Sequence, residues 1–142
     1  MTVLEGALSG TRVVTCSTAQ AGTVPYTLMA DLGAEVIKIE DPKLGDPFRG
    51  WGTADYSATF GSVNRNKKSI ILDLKTEEGI KIARDLAAEA DVLIENFRPG
   101  TMDRLGLGYE ELSLYNSKLI YCSVTGFGRT GPYAGRPGYD TK

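Results

Sequence analysis

Five short runs, at residues 11–16, 35–39, 69–72, 92–94 and 119–124, recur along the chain with helical patterns or polar connections between them. The runs are rich in Val and Ile and mostly continuous rather than alternating. Such segments suit strands buried on both faces, and a sandwich with one wetted face would alternate apolar with polar side chains. The expected class is therefore α/β: a Rossmann-like parallel sheet with helices on both faces. Neighbouring parallel strands need crossover connections, and these run right-handed.

The intervening segments carry helix signals. Thr23 is placed to cap a helix with Val24 and Pro25 in its first turn and Leu28, Met29 and Leu32 on one face. Gly33 then stands where a left-handed residue ends a helix. Residues 58–63 suit a short helix and residues 64–68 a polar turn. Thr76 caps a helix to about Ala90, with Glu77 and Glu78 at its positive end and Ile80, Ala83, Leu86 and Ala87 at helical spacing. Short helices are expected at 100–105 and 109–114, and loops at 41–51 and 126–138.

At 142 residues, 42% of them hydrophobic, the chain suffices for one domain with its own core. The net charge of −2 gives no broad positive field, so nucleic acid is not an expected partner. There is no histidine, which removes imidazole bases, Ser-His and Cys-His nucleophiles and most transition-metal sites. No metal is expected. Cys16 and Cys122 lie in apolar, strand-like runs, which suits free thiols in a reducing, cytoplasmic compartment. No apolar run reaches membrane-spanning length, and residues 1–10 lack a secretory pattern. Chemistry is left to carboxylates, amides, hydroxyls or a bound group.

In parallel sheets ligands lie beyond the carboxyl ends of the strands. Those ends fall here at residues 16–22, 40–46, 73–75, 95–100 and 125–128. Residues 17–23 form a small-residue turn that lets a ligand approach free helix amides, and equally a plain tight connection. It lacks the G-x-G-x-x-G of dinucleotide folds. Glu95-Asn96-Phe97-Arg98-Pro99-Gly100, followed by Arg104, offers an amide, a flat apolar ring and a phosphate fork, although a helix-initiating turn with a solvated Arg reads the same. The cations of residues 64–68 suit a solvated turn. The glycine-dense stretch 123–132 suits a cleft-lining loop or a surface loop.

Together these stretches resemble one family. In order they read A-G at Ala21-Gly22, ADLGAEVIKIE from Ala30, R-G-W at Arg49 to Trp51 and N-R-N-K-K-S from Asn64. They continue with LDLKTEEG from Leu72, ADVLIENFRPG from Ala90, Y-C-S-V-T-G-F-G from Tyr121 and R-P-G-Y-D from Arg136. The pattern is similar to the amino-terminal portion of the family III CoA-transferases, a group that includes formyl-CoA and carnitine CoA-transferases and α-methylacyl-CoA racemases. The resemblance implies that residues 1–142 form a CoA-binding Rossmann-like domain of a larger fold. It implies acyl-CoA and a carboxylic acid as partners and an interlocked homodimer at full length. It also implies transfer of CoA through an aspartyl-CoA intermediate. CoA contacts would fall on Ala19, Gln20, Ala21, Leu72, Asn96, Phe97, Thr101, Arg104, Thr125 and Phe127. The nucleophilic aspartate is expected beyond the R-P-G-Y-D motif, so residues 1–142 alone are expected to be inactive. Three positions depart from the pattern. Thr23 replaces a proline, Asp41 stands where many members carry an arginine that meets the nucleotide, and Tyr139 replaces the racemases' histidine. A non-catalytic CoA- or nucleotide-binding fragment and a racemase-like isomerase are the alternative readings.

Overall fold

The computed structural model describes residues 6–50 and 57–138. Five strands form one sheet in the order β3-β2-β1-β4-β5. They are β1 (Arg12–Thr15), β2 (Glu35–Glu40), β3 (Lys68–Ile71), β4 (Val92–Glu95) and β5 (Ile120–Ser123). Every pairing is parallel. The helices are α1 (Ala19–Asp31), α2 (Ala58–Asn64), α3 (Glu77–Ala88), α4 (Thr101–Arg104) and α5 (Tyr109–Tyr115), and a 3-10 turn occupies Pro47–Gly50. From β1 the chain builds outward to β2 and β3, then returns to lay β4 on the other side of β1. That reversal is the switch point at which doubly wound sheets hold ligands.

The continuous apolar pattern of the strands has its cause in two cores. Val13 and Val14 are both fully buried, one on each face. Val14 joins Leu93, Ala83, Ala87, Leu107 and Leu112 beneath α3 and α5. Val13 joins Val36, Ile94, Tyr26 and Ala30 beneath α1. Each such valine contributes about 1.5–3 kcal/mol through burial, so neither face of β1 tolerates a polar run. Cys16 and Cys122 are free thiols. Among the described residues no helix is long and apolar enough to cross a membrane.

The first helix departs from expectation. It begins at Ala19 with Thr18 as N-cap, not at Thr23. Thr23 is buried, and its hydroxyl donates to the carbonyl oxygens of Ala19 and Gln20. The expected helix placed Pro25 in the first turn, whereas it lies in the interior. Ala21 and Pro25 are both exposed, so the carbonyl that Pro25 leaves without an N–H partner lies on the wetted side. The buried face is Gly22, Thr23, Tyr26, Thr27 and Ala30, while Leu28 and Leu32 face outward. Polar partners under the helix decide this orientation. The Tyr26 hydroxyl donates to Ser17 O at 3.3 Å, and the Thr27 hydroxyl accepts from Lys67 Nζ at 2.6 Å. Gly33 does adopt φ +100° and returns its N–H to Ala30 O, as a helix terminator should.

Elsewhere the elements match the sequence pattern to within a residue or two. Ser57 caps α2 and Thr76 caps α3, each hydroxyl accepting the N–H three residues on. The strand β3 begins at Lys68, inside the expected polar turn, because its first residue pairs with Ile37 of β2. The stretch 126–138 carries no helix or strand.

Candidate functional site

A cavity of about 260 Å³ opens at the carboxyl ends of the strands. Four corners build it: Cys16 and Thr18 after β1, Ile39, Asp41 and Gly45 at the end of β2, Leu72 to Lys75 after β3, and Phe97, Thr101 and Leu105 after β4. The floor is apolar, from Ile39, Leu72, Leu74, Phe97 and Leu105, with Thr18, Asp41, Asp73, Lys75 and Thr101 supplying polar groups. The volume lies just below the usual range for a small-molecule site, so it admits one moiety of a large ligand rather than the whole. Burial pushes the Cys16 thiol up to about 12, with Glu95 adding to it, so this wall presents a neutral sulfur rather than a nucleophile.

Of the residues singled out in the sequence, Leu72, Phe97 and Thr101 line the cavity. Arg104 stands one helical turn beyond Thr101 and donates to its hydroxyl at 3.1 Å. The half-buried Ala19 and the exposed Gln20 and Ala21 form the start of α1, next to the cavity residue Thr18. Asn96 turns toward the main chain of Thr18. Its Nδ2 donates to Thr18 O at 2.8 Å and its Oδ1 accepts from Thr18 N at 2.9 Å. Thr125 and Phe127 do not line the cavity, so four of the five strand ends converge. Phe127 packs on Tyr133 with ring centroids 5.9 Å apart. Trp51, Tyr139 and Asp140 lie outside the described residues. Reasoning from sequence missed Asp73, Leu74 and Lys75 as lining residues. The rule of carboxyl ends had named residues 73–75, which was the available signal.

The β2 corner is rigid because of charge. Val36, Lys38 and Glu40 share the face of β2 beneath α1 and α2, by the alternation of a strand. The Lys38 ammonium is buried and pairs with the buried carboxylate of Asp46. Asn64 Oδ1 accepts from it at 2.9 Å, and the Tyr26 hydroxyl lies at 3.4 Å. Burial pulls Lys38 below the usual lysine value, with Asp46 opposing. The Glu40 carboxylate accepts from Arg49 Nε and Nη2 at 2.7 and 2.8 Å, from Ser69 Oγ at 2.7 Å and from Asp46 N at 3.1 Å. These bonds hold the loop 41–50, and with it the cavity residues Asp41 and Gly45. Lys67 stands nearby, 3.9 Å above the Tyr26 ring, and burial with the neighbouring Lys38 lowers it to about 7.

Asp41 sets the electrostatics of that wall. Its Oδ1 accepts from Lys43 N and Leu44 N at 2.8 and 2.9 Å. These amides hold its carboxyl below the usual range, so it is ionised at neutral pH. Among the described lining residues Lys75 is the one cation, and it shares the β3 corner with Asp73, whose Oδ1 accepts from Lys75 N at 2.9 Å. A ligand anion is repelled on the β2 side and meets its one counter-charge at Lys75.

Comparison with known proteins agrees with the geometry. Residues 8–142 match CoA-transferase family III. The chain is 48% identical to succinate–glutarate CoA-transferase of Agrobacterium fabrum, covering 94% of this chain and 36% of that protein. It is 45% identical to human succinyl-CoA:glutarate CoA-transferase, covering 94% and 31%. A crystal structure of a CAIB/BAIF family protein from Brucella suis superposes with a TM-score of 0.92 at 49% identity, over 96% of this chain and 38% of that one. The chain thus spans about a third of the length of the curated relatives it matches. The match over residues 8–142, together with the identity to these relatives over 94% of the chain, shows that the chain belongs to CoA-transferase family III.

Proposed function

We propose that this chain is the CoA-binding portion of a CoA-transferase that moves CoA from an acyl-CoA to a carboxylic acid. The observation that carries the reading is the cavity at the carboxyl ends of β1 to β4, with Phe97 and Leu72 in its floor and Lys75 at its side. An apolar slot suits an adenine or pantetheine moiety, and Lys75 offers a phosphate one cation between the carboxylates of Asp41 and Asp73. Relatives named for succinate, glutarate and malate make short dicarboxylates the first acyl groups to test. The aspartyl-CoA route requires neither histidine nor metal. In this reading the aspartate is supplied by the part of the family fold beyond the R-P-G-Y-D motif, and the full-length protein acts as a homodimer in the cytoplasm. The role of residues 1–142 is to seat the nucleotide end of the thioester.

Isothermal titration of this chain with CoA tests the reading, and a saturable heat of binding is expected. Arg104→Ala should weaken CoA about tenfold, or about 1.5 kcal/mol, if the guanidinium meets a phosphate through charged hydrogen bonds. Unchanged affinity in Arg104→Ala would remove that contact. No saturable binding by the unaltered chain would remove the CoA-binding role.

A further inference from the structure

The turn that enters α1 is held by a side chain from the other side of the sheet's switch point. Thr18 is the N-cap residue of α1, yet its own hydroxyl makes no capping bond. Asn96, 78 residues away, takes both polar groups of the Thr18 main chain, one as donor and one as acceptor. The residue that follows, Ala19, has φ +57°, a left-handed conformation that costs an alanine about 1–2 kcal/mol. Such strain persists only where the surroundings fix it. Gly22 completes the arrangement. A Cβ there would lie 2.7 Å from the Asn96 amide and 2.6 Å from the Ser17 side chain, so the helix approaches Asn96 as closely as a glycine permits. The Asn96 amide is thus half-buried, with its polar atoms turned to the main chain of Thr18.

We infer that Asn96 is a positioning residue. It does not hold the nucleotide itself but locks the β1–α1 turn, at Thr18 and Ala19, in the conformation that receives a CoA thioester. This rests on the CoA-binding reading above. It differs from a role for Asn96 as a direct ligand contact, since both bonds that define its orientation go to Thr18.

Asn96→Asp tests it through pH. A protonated aspartic acid reproduces the amide, its O–H donating to Thr18 O and its C=O accepting from Thr18 N. An ionised one sets a charge against Thr18 O and loses that bond. CoA affinity by calorimetry and the thermal midpoint of the ligand-free protein are measured for both proteins from pH 8 to pH 4, which reaches the ordinary aspartate value of about 3.9. The unaltered chain corrects for the titration of CoA itself, of Lys67, which burial brings to about 7, and of the other carboxylates. The variant should bind CoA about tenfold more weakly at the high end. That gap should close as pH falls, in step with recovery of its midpoint. A gap that ignores pH while the midpoint follows it would reduce Asn96 to a merely structural role. A gap that closes with no change in the ligand-free midpoint would make it a ligand contact. Either result overturns the proposal. If Asn96→Asp does not fold at neutral pH, Asn96→Ser decides, since its hydroxyl is too short to span both Thr18 groups. Weaker CoA binding with a lowered midpoint is then expected, and unchanged affinity overturns the inference. Failure of the unaltered chain to bind CoA would instead sink the CoA-binding reading, and this inference with it.

Discussion

Replacing Asp46 by alanine should lower the unfolding free energy by about 3–5 kcal/mol, because it leaves a buried ammonium without its counter-charge. Lys38 and Asp46 are both buried, and their ion pair is the least solvated among the described residues. Asn64 and Tyr26 then remain around Lys38, but neither carries a compensating charge. Asp46 Oδ1 also accepts from Phe48 N at 2.9 Å, so the 3-10 turn loses this side-chain cap as well. The cost belongs mainly to the stranded charge rather than to the lost attraction. Lys38→Met in the Asp46→Ala background should therefore restore most of the stability. Urea midpoints of the three proteins check this. A loss below about 1 kcal/mol in Asp46→Ala, or no recovery in the double variant, would mean that water reaches the ammonium.

That ion pair shows where the sequence stops being informative. The run Glu35-Val36-Ile37-Lys38-Ile39 announces a strand, because β-branched residues fit a pleated surface. Nothing local says that Lys38 points into a closed interface, since its partners Asp46, Asn64 and Tyr26 come from three other segments. The α1 start was misread for a similar reason. Thr23 ahead of Val24-Pro25 carries a good helix-start signal, and the competing signal is a long-range one from Asn96 to Thr18. The strands and their parallel class were legible because continuous apolar runs have few other solutions. The place of the cavity was legible from the same rule of carboxyl ends. The β5 corner failed that rule. There Phe127 packs on Tyr133 and Arg129 pairs with Asp103 of α4, so the stretch after β5 packs on itself and on α4 rather than lining the cavity. Family resemblance named residues such as Asn96 without saying which act through their neighbours, and the positioning role proposed for Asn96 comes from its two bonds to Thr18.

Lowering the pH from about 4.5 towards 2 should cost roughly 3 kcal/mol through Glu40 alone, at about 1.4 kcal/mol per pKa unit. Burial would raise this carboxyl, but Arg49, Ser69 and the Asp46 amide outweigh it and hold Glu40 at about 2, against an ordinary 4.5. A carboxyl depressed in the folded state binds fewer protons than in the unfolded state across that window. Its stabilisation is therefore complete above pH 4.5 and is lost as pH falls through the window. Asp31, Glu35 and Asp41 are also held low, by Arg65, by Lys68 and by backbone amides respectively, so acid weakens the protein at several points. Glu40→Gln isolates one contribution. The variant should be less stable than the unaltered chain at pH 7, and the two chemical-denaturation curves should converge near pH 2. Because Glu40 anchors the loop that carries Asp41 and Gly45, the same substitution should weaken CoA binding at neutral pH without altering any cavity-lining side chain. Stability curves that run parallel from pH 7 to 2 would show that Arg49 and Ser69 surround a carboxylate that is already well hydrated.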